Sequence, residues 1–475
     1  MSDKSNPKAA EPPSPLTAKR SSLWRAACLL PALSVLIVHG LFPPERIHED
    51  EVYWIGSTYY LHLAVDQRDA SHPDWMLLPA RENPALGKYV LGSGMRLLGE
   101  SVETPDILGS FYLIFAGMPG AWGEGDAFEK RRNVALRVDP EFGENVLRGV
   151  APPLSESQLN AGRLVSLVFG MLAACGLCVL GQQCEWRWGG LLAGVLFSCH
   201  PIVLSAYSLA MIDIIAIAFC IWFLVGILAL LKLGSNTTRN VAADQRSDQK
   251  GRDGGRKSEA KNESWSWGRA ALIAIPTCLA LAFACGSKMN SLVVAGVATL
   301  IALWLGAQAW QGDEPATHRR KLIARLMLLL FVGCIAGVIF VGTNPSLYAD
   351  PVDGVLALSY EHQLTADIQE KLLGGRLRTI SQRLSAIAIL TCGSHLLFAL
   401  LACTTLGLGI YCARTRSLGI VIAIWWFVAL ALLLLWLPFG WDRYVIPILA
   451  PSALVIGATL DILGHLAWGR LRSPS

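Results

Sequence analysis

The sequence predicts an all-α protein that crosses a membrane about ten times and has a large extracytoplasmic segment between its first two spans. Of its 475 residues, 53% are hydrophobic and only 16% are charged, whereas soluble proteins average about 25% charged residues. The apolar residues also lie in long blocks, and a membrane-spanning helix needs about 20 mostly apolar residues. These observations exclude a soluble multidomain enzyme, a disordered chain and a disulfide scaffold.

Ten apolar blocks are long enough to span a bilayer, and their approximate ends allow nine to eleven spans. They cover residues 26–42, 164–180, 189–207, 214–233, 270–285, 292–310, 322–341, 384–411, 418–437 and 444–467. The first block follows Lys19, Arg20 and Arg25 but has no clear small-residue cleavage site after it. We therefore interpret it as a membrane anchor and not as a signal peptide.

The basic residues of the loops set the predicted orientation, because cytoplasmic loops carry an excess of Lys and Arg. With the N-terminus inside, the basic residues fall on the cytoplasmic side at Lys4, Lys8, Lys19, Arg20, Arg25, Arg187, within 232–269, and at Arg319, Arg320, Lys321, Arg414, Arg416, Arg470 and Arg472. Both termini are then cytoplasmic, and the protein is predicted to reside in the cell (inner) membrane.

The remaining segments complete the predicted organisation. Its parts are a cytoplasmic tail (1–25), the first helix (26–42), an extracytoplasmic loop (43–160), helices two to four (161–234), a disordered cytoplasmic loop (235–268), helices five to seven (269–342), a second extracytoplasmic loop (343–383), helices eight to ten (384–467) and a cytoplasmic tail (468–475). Within the first loop, residues 107–117 are apolar but too short to cross, which predicts an interfacial helix.

Charged residues near the membrane are informative because they are costly there. In the predicted topology eight of them gather on the extracytoplasmic face: Asp50, Glu51, Lys88, Arg163, Asp213, Lys288, Asp442 and Arg443. Any one of them could cap or end a span. Asp213 is the hardest to explain in this way, because it lies between two apolar runs and needs a charged partner. Their convergence on one face favours a shared site.

The net charge and the cysteines give little indication of the function. The formal charge of +4, from 40 basic and 36 acidic residues, gives no indication of nucleic-acid binding. The 12 cysteines lie mostly within apolar blocks, where a thiol behaves as a small buried hydrophobe. Cys175 and Cys178 form a C-x-x-C without a second pair, so we predict neither a metal site nor a disulfide framework there.

Six short motifs, in matching order from about residue 25 to 465, resemble those of the protein O-mannosyltransferases. They are Asp50-Glu51-Val52-Tyr53-Trp54, Asn83-Pro84-Ala85-Leu86-Gly87-Lys88, Asn160-Ala161-Gly162-Arg163-Leu164-Val165-Ser166, Ser208-Leu209-Ala210-Met211-Ile212-Asp213, Gly286-Ser287-Lys288 and Trp441-Asp442-Arg443-Tyr444. The last of these is closer to related bacterial lipid-linked-sugar transferases. Asn83-Pro84-Ala85 departs from the His-Pro-Pro of the family.

This resemblance to glycosyltransferase family 39 implies the multi-span GT-C fold. It also implies transfer of a mannose-like sugar from a polyprenyl-phosphate carrier to a protein Ser or Thr hydroxyl. Asp50 would then be the general base, with Glu51 orienting it or the acceptor. Lys88, Arg163, Lys288 and Arg443 would be phosphate partners, arginine for bidentate contacts and lysine as a point charge.

The resemblance further implies that Asp213 holds a sugar hydroxyl or one of these cations, and it places Asp442 beside the substrate. A single displacement would invert the anomeric centre. The implied partners are the lipid-linked donor in the membrane and a protein, lipid or glycan acceptor. No cofactor is predicted with certainty. A divalent cation is an open alternative, since His48, Glu49, Asp50 and Glu51 offer ligand atoms.

Three alternatives remain at this point. A transferase of the same fold could modify a lipid or a glycan instead of a protein. A secondary transporter would place charges near the bilayer midplane and interrupted helices at paired positions, whereas the charges here lie at one rim. A non-catalytic assembly protein would tolerate Asp50→Asn. The sequence does not indicate an oligomeric state.

Overall fold

The structure is a computed structural model that describes residues 27–44, 47–76, 78–103, 154–250, 267–310, 315–348 and 350–472. These residues are almost entirely helical. They contain no β-strand, apart from one isolated bridge between Arg376 and Phe439.

We label the α-helices in chain order. They are α1 (Leu30–Leu41), α2 (Glu49–Gly56), α3 (Tyr59–Leu61), α4 (Leu78–Glu82), α5 (Leu86–Leu97), α6 (Glu156–Gln183), α7 (Arg187–Cys199), α8 (Pro201–Ser208), α9 (Ile212–Lys250), α10 (Trp267–Ser287), α11 (Val293–Trp310), α12 (Pro315–Gly342), α13 (Pro351–Leu373), α14 (Ile380–Cys392), α15 (His395–Thr415), α16 (Ile420–Trp436) and α17 (Ile446–Arg472). Short 3₁₀ turns at Met289–Leu292 and Asp442–Val445 precede α11 and α17.

Within the described residues, seven helices are long and apolar enough to cross a membrane. They are Glu156–Gln183, Ile212–Lys232, Ala270–Ser287, Met289–Gln308, Arg319–Gly342, His395–Thr415 and Asp442–Ala467. The bent pair α7 and α8 adds an eighth if it is counted as one span, and α1, α14 and α16 are shorter apolar helices. The predicted all-α polytopic fold is therefore confirmed.

The centre of the bundle is formed by α6, α7, α9, α10 and α17. In hydrocarbon, close helix packing depends on small residues at the contact. Gly189 of α7 and Gly457 of α17 provide such a contact, because a Cβ added at Gly457 would overlap the carbonyl of Gly189. In contrast, only 11% of the apolar window of α12 is buried inside the protein. This helix presents most of its surface to the lipid.

Two predicted spans differ in shape from a single straight helix. The block 384–411 is divided into α14 and α15 at Gly393, whose φ of 67° lies in the left-handed region that ends helices. The block 189–207 is bent by 71° between α7 and α8. The bend falls at His200, before Pro201, which has no N–H group to continue the helical hydrogen bonding.

The structure also differs at the predicted disordered loop 235–268. The backbone of α9 continues as a helix to Lys250. Residues 235–250 contain neither glycine nor proline, so no residue of this stretch breaks the helix. The rest of the predicted loop up to residue 266, and the predicted interfacial helix 107–117, lie outside the described residues.

Short helices from the predicted extracytoplasmic loops cover one end of the bundle. From the first loop, α2 packs on α6, and α5 packs on α6, α9 and α10. From the second loop, α13 packs on α4. Asn344 joins the two loops, because its Oδ1 accepts a hydrogen bond of 2.6 Å from the backbone N–H of Ala85. The predicted site residues lie at this end.

Candidate active site

A small pocket opens at this end of the bundle. Its wall is formed by the start of α9, the α10–α11 connection, α16 and the start of α17. The lining residues are Asp213, Ala216, Ile217, Cys220, Lys288, Asn290, Ser291, Val293, Val294, Trp425, Arg443, Ile446 and Pro447. The pocket therefore combines two cations and a carboxylate with apolar walls.

Asp213 and Lys288 form an ion pair on one side of the pocket. Asp213 is in the first turn of α9 and is only 5% exposed, and Lys288 directly follows α10. The Lys288 ammonium also lies 5.8 Å from the ring centre of Tyr444. The charged partner that the apolar surroundings of Asp213 require is thus supplied by a neighbouring helix end.

Asp50 and Arg443 form a second ion pair, and through it the first extracytoplasmic loop reaches the pocket. Asp50 lies in the first turn of α2, where His48 caps the helix by accepting a hydrogen bond of 3.1 Å from the Asp50 N–H. The Arg443 guanidinium lies 5.0 Å from the Trp441 ring and 5.6 Å from the Tyr444 ring. Both side chains of the pair are partly exposed, at 23% and 22%.

Glu51, although adjacent to Asp50, lies inside the protein and is 0% exposed. Its Oε1 accepts hydrogen bonds from Arg163 Nε at 2.8 Å and from the Ala210 N–H at 3.0 Å. Its Oε2 accepts from Arg163 Nη2 at 2.9 Å and from the His48 N–H at 2.9 Å. This carboxylate therefore joins α2, α6 and the α8–α9 connection, and so holds Asp50 in place.

Lys88 is also fully buried, but among backbone carbonyls. Its ammonium donates hydrogen bonds to the carbonyl oxygens of Pro79 and Asn83, the latter at 2.7 Å, and lies 5.4 Å from the Tyr60 ring. These contacts fix the segment that leads into α5. Lys88 does not line the pocket described above.

Around α5, further polar contacts fasten the first loop. The Tyr89 hydroxyl donates a hydrogen bond of 3.0 Å to the Thr343 carbonyl, and burial raises the pKa of this phenol, so it remains protonated. Arg96 forms an ion pair with Asp66, and their hydrogen bond holds the pKa of Asp66 down at about 2. These contacts support the loop that carries the acidic motif.

The predicted site residues thus divide into three groups. Asp213, Lys288 and Arg443 line the pocket, and Asp50 reaches it through its ion pair with Arg443. Glu51 and Arg163 form a buried pair that supports Asp50, and Lys88 supports the first loop. Asp442 is exposed, and its Oδ1 accepts a hydrogen bond of 2.7 Å from the N–H of Arg443.

Trp425 is one of the pocket residues that sequence reasoning missed. It lies in the middle of the apolar helix α16 and is fully buried. No polar or charged residue of α16 distinguishes its position, so the sequence carries no signal that would select it.

A metal centre is not evident in the described part of the chain, where no group of three or more His, Cys, Asp and Glu side chains is arranged to hold an ion. The carboxylate of Asp50 is engaged by Arg443 and that of Asp213 by Lys288. Both carboxylates are therefore already paired with cations in this arrangement.

No protein-family model and no curated protein sequence matches the chain. Among solved structures, the Archaeoglobus fulgidus oligosaccharyltransferase tethered to an acceptor peptide with an NVT sequon matches with a TM-score of 0.50 and 10% identity over 93% of this chain. A complex of the archaeal enzyme from the same organism with an inhibitory peptide and a dolichol-phosphate matches with a TM-score of 0.47 and 12% identity over 96%.

The chain spans about half the length of these two structures, covering 50% and 52% of them. At such low identity the likeness concerns the fold alone. The first match agrees with the arrangement of apolar helices described above. The protein is an integral membrane protein with the GT-C fold.

Proposed function

We propose that this protein is a membrane glycosyltransferase. It transfers a mannose-like sugar from a polyprenyl-phosphate carrier to an extracytoplasmic acceptor, a Ser or Thr hydroxyl of a protein. The observation that carries the proposal is the pair of carboxylate–cation contacts at one pocket. The chain brings Arg443 to Asp50 across 393 sequence positions, and Lys288 to Asp213 across 75.

The chemistry of such a transfer matches these groups. The acceptor oxygen attacks the anomeric carbon as the bond from that carbon to the phosphate oxygen breaks. The acceptor proton passes to Asp50, and the phosphate leaves on the polyprenyl chain. A positioned base and positive charge near the leaving phosphate each lower the barrier of such a step. Because the displacement is single, the anomeric configuration inverts.

The two cations of the pocket are suited to the phosphate. Arg443 and Lys288 are both near the ends of spans, where the phosphate of a membrane-anchored lipid lies. In the ligand-free arrangement each cation is held by a carboxylate. A bound phosphate would compete with Asp50 for the Arg443 guanidinium. Donor binding would thus release Asp50 to accept the acceptor proton.

The acceptor and the sugar rest on the sequence resemblance more than on the pocket. A protein acceptor is also supported by the oligosaccharyltransferase of the same fold, which was solved tethered to an acceptor peptide. A lipid or glycan acceptor would use the same base and the same phosphate partners. The assay below therefore includes acceptors of each class.

The proposal places the pocket on the extracytoplasmic side of the cell (inner) membrane, as the basic residues of the loops predict. Reporter fusions after Thr104 and after Gln249 test this orientation. We expect an extracytoplasmic signal at the first position and a cytoplasmic signal at the second. Equal signals from the two fusions would contradict the topology and the external site together.

The proposed activity is tested with the purified protein in lipid nanodiscs. The donors are undecaprenyl phosphates carrying radiolabelled mannose, glucose or galactose, and the acceptors are a Ser/Thr-rich peptide, a glycolipid and an oligosaccharide. We expect one donor to be consumed, with labelled peptide and undecaprenyl phosphate as products. Mass spectrometry of extracytoplasmic proteins from a strain lacking the protein should show the same sugar missing.

Asp367→Asn is the matched control for Asp50→Asn. Asp367 is also paired with an arginine, but it is on the exposed surface of α13, and its partner Arg376 does not line the pocket, whereas Arg443 does. We expect transfer to be lost in Asp50→Asn and retained in Asp367→Asn. A folded wild-type protein that consumes none of the three donors, or an Asp50→Asn protein with normal transfer, would overturn the proposal.

A further inference from the structure

Two buried polar atoms of the pocket residues have no hydrogen-bond partner within the described part of the chain. One is Oδ2 of Asp213, whose other oxygen is held by Lys288. The second is the indole Nε1 of Trp425, a side chain that is 0% exposed. Both residues line the same pocket. Since buried polar groups in proteins are almost always hydrogen-bonded, these two atoms call for a ligand or a water molecule.

The two atoms have opposite hydrogen-bonding character. A carboxylate oxygen accepts hydrogen bonds, and an indole N–H only donates them. A hydroxyl group both donates and accepts, so a molecule with several hydroxyl groups satisfies both atoms. An isoprenoid chain, which has neither donors nor acceptors, satisfies neither and would leave both unpaired.

The pocket extends along the first two turns of α9. Asp213, Ala216, Ile217 and Cys220 lie on one face of α9, and seven residues of helix correspond to about 10 Å. The cations Lys288 and Arg443 belong to the charged part of the lining, whereas Ala216, Ile217 and Trp425 belong to the apolar part. A group attached to a phosphate at the cations would therefore face the apolar part of the lining.

We infer that the pocket holds the sugar of the lipid-linked donor, with one hydroxyl donating to Asp213 Oδ2 and a second sugar oxygen accepting from the indole N–H of Trp425. This inference rests on the proposed function and adds to it the recognition of the sugar. Trp425 is then a specificity-determining residue. It discriminates a sugar-bearing lipid from bare polyprenyl phosphate.

The test compares Trp425→Phe with Trp426→Phe. Phenylalanine keeps an aromatic ring at each position but removes the N–H group. Trp426 is the neighbouring residue of the same helix and is equally buried, but its Nε1 already donates to Ser452 Oγ at 2.9 Å and it does not line the pocket. Trp426→Phe thus reports the cost of changing a buried indole in α16.

Binding is measured in nanodiscs for undecaprenyl phosphate and for undecaprenyl phosphate carrying mannose, glucose or galactose. For the best sugar-bearing lipid we expect Trp425→Phe to weaken binding about threefold to tenfold, the usual effect of one lost hydrogen bond. Binding of bare undecaprenyl phosphate should not change. Trp426→Phe should not change the ratio of the two affinities.

Deoxy sugars give a second test that needs no variant to fold. With the wild-type protein, at least one monodeoxy form of the best sugar should bind about threefold to tenfold more weakly. One deoxy form lacks the oxygen that faces Trp425. For this form Trp425→Phe should cause no further loss of affinity, because the hydrogen bond is already absent, as in a double-mutant cycle.

An equal loss for both lipids in Trp425→Phe, or no loss for either, would overturn the inference. The inference would also be overturned if every monodeoxy sugar bound as tightly as the parent sugar. If the wild-type protein transfers sugar in the assay above while these results are obtained, only the inference fails. If the wild-type protein neither transfers sugar nor prefers a sugar-bearing lipid, the proposed function fails with it.

Discussion

Glu51→Gln provides a sharp test of the division of roles within the acidic pair. Each carboxylate oxygen of Glu51 accepts two hydrogen bonds, one from Arg163 and one from a backbone N–H. In a glutamine one of the two oxygens becomes an NH₂ group. Whichever way this amide turns, its NH₂ faces two donors, so two of the four hydrogen bonds are lost.

The cost follows from these contacts. Hydrogen bonds to charged groups contribute about 1.5–3 kcal/mol each, and removing one partner of a buried ion pair costs about 3–5 kcal/mol. The Arg163 side chain is only 13% exposed, so water cannot readily replace Glu51. We therefore expect Glu51→Gln to lower the free energy of unfolding by about 3–5 kcal/mol.

Unfolding is followed by the intrinsic fluorescence of the 16 tryptophans during denaturant titration in detergent. Glu370→Gln is the control, because Glu370 also forms ion pairs with arginine, Arg376 and Arg378, but in a partly exposed position at the surface. The control should unfold like the wild type, since exposed ion pairs contribute little. A Glu51→Gln protein as stable as the wild type but inactive in transfer would refute the structural role and make Glu51 a chemical participant.

Three further changes separate chemical from supporting residues. Asp50→Asn should lower turnover by about 10²–10⁴-fold, the usual contribution of a general base. The Kd for the donor should be unchanged or lower, because Arg443 loses its competing carboxylate. A much higher Kd would contradict this role. Lys88→Met should lower stability and leave the Kd for undecaprenyl phosphate unchanged, since its ammonium is held by carbonyls; the reverse result would restore it as a phosphate ligand. For Asp66, the pKa of about 2 set by Arg96 lies below its ordinary value, so its stabilising effect is full above that value and disappears as pH falls through about 2. Because His62 also binds Asp66, at 2.8 Å, the stability difference between wild type and Asp66→Asn should not decrease between pH 7 and about pH 4. A difference that vanishes at pH 5 would contradict the pairing.

The fold could be predicted from the sequence because membrane-spanning helices are recognised by their length and hydropathy. The sequence could also indicate the pocket cations and carboxylates, because a charge within apolar sequence is costly and therefore stands out. Asp213 illustrates this: its surroundings alone required a charged partner, and the structure provides Lys288. Which cation would pair with which carboxylate was not predictable, since it depends on how the helix ends meet.

Other features of the fold and the site could not be predicted, because they depend on contacts between segments that are distant in the sequence or on backbone conformation. The division of block 384–411 depends on a left-handed conformation at Gly393, yet glycine also occurs inside apolar helices of this chain. Trp425 is one aromatic residue within a continuous apolar helix, and its unpaired N–H becomes informative only next to a pocket. The carbonyl partners of Lys88 could not be predicted either, because the spacing of residues in the sequence does not reveal them.

The two neighbouring acids show why position in a helix matters more than adjacency in sequence. Asp50 and Glu51 are consecutive residues in the first turn of α2, so their side chains leave the helix about 100° apart. One direction leads to the protein interior and to Arg163, and the other to the pocket rim and to Arg443. A carboxylate that accepts four hydrogen bonds inside the protein cannot move to receive a proton from a substrate. Under the proposed function the base is therefore the partly exposed acid, whose arginine an incoming phosphate can bind, and the buried acid holds the helix in place for this exchange.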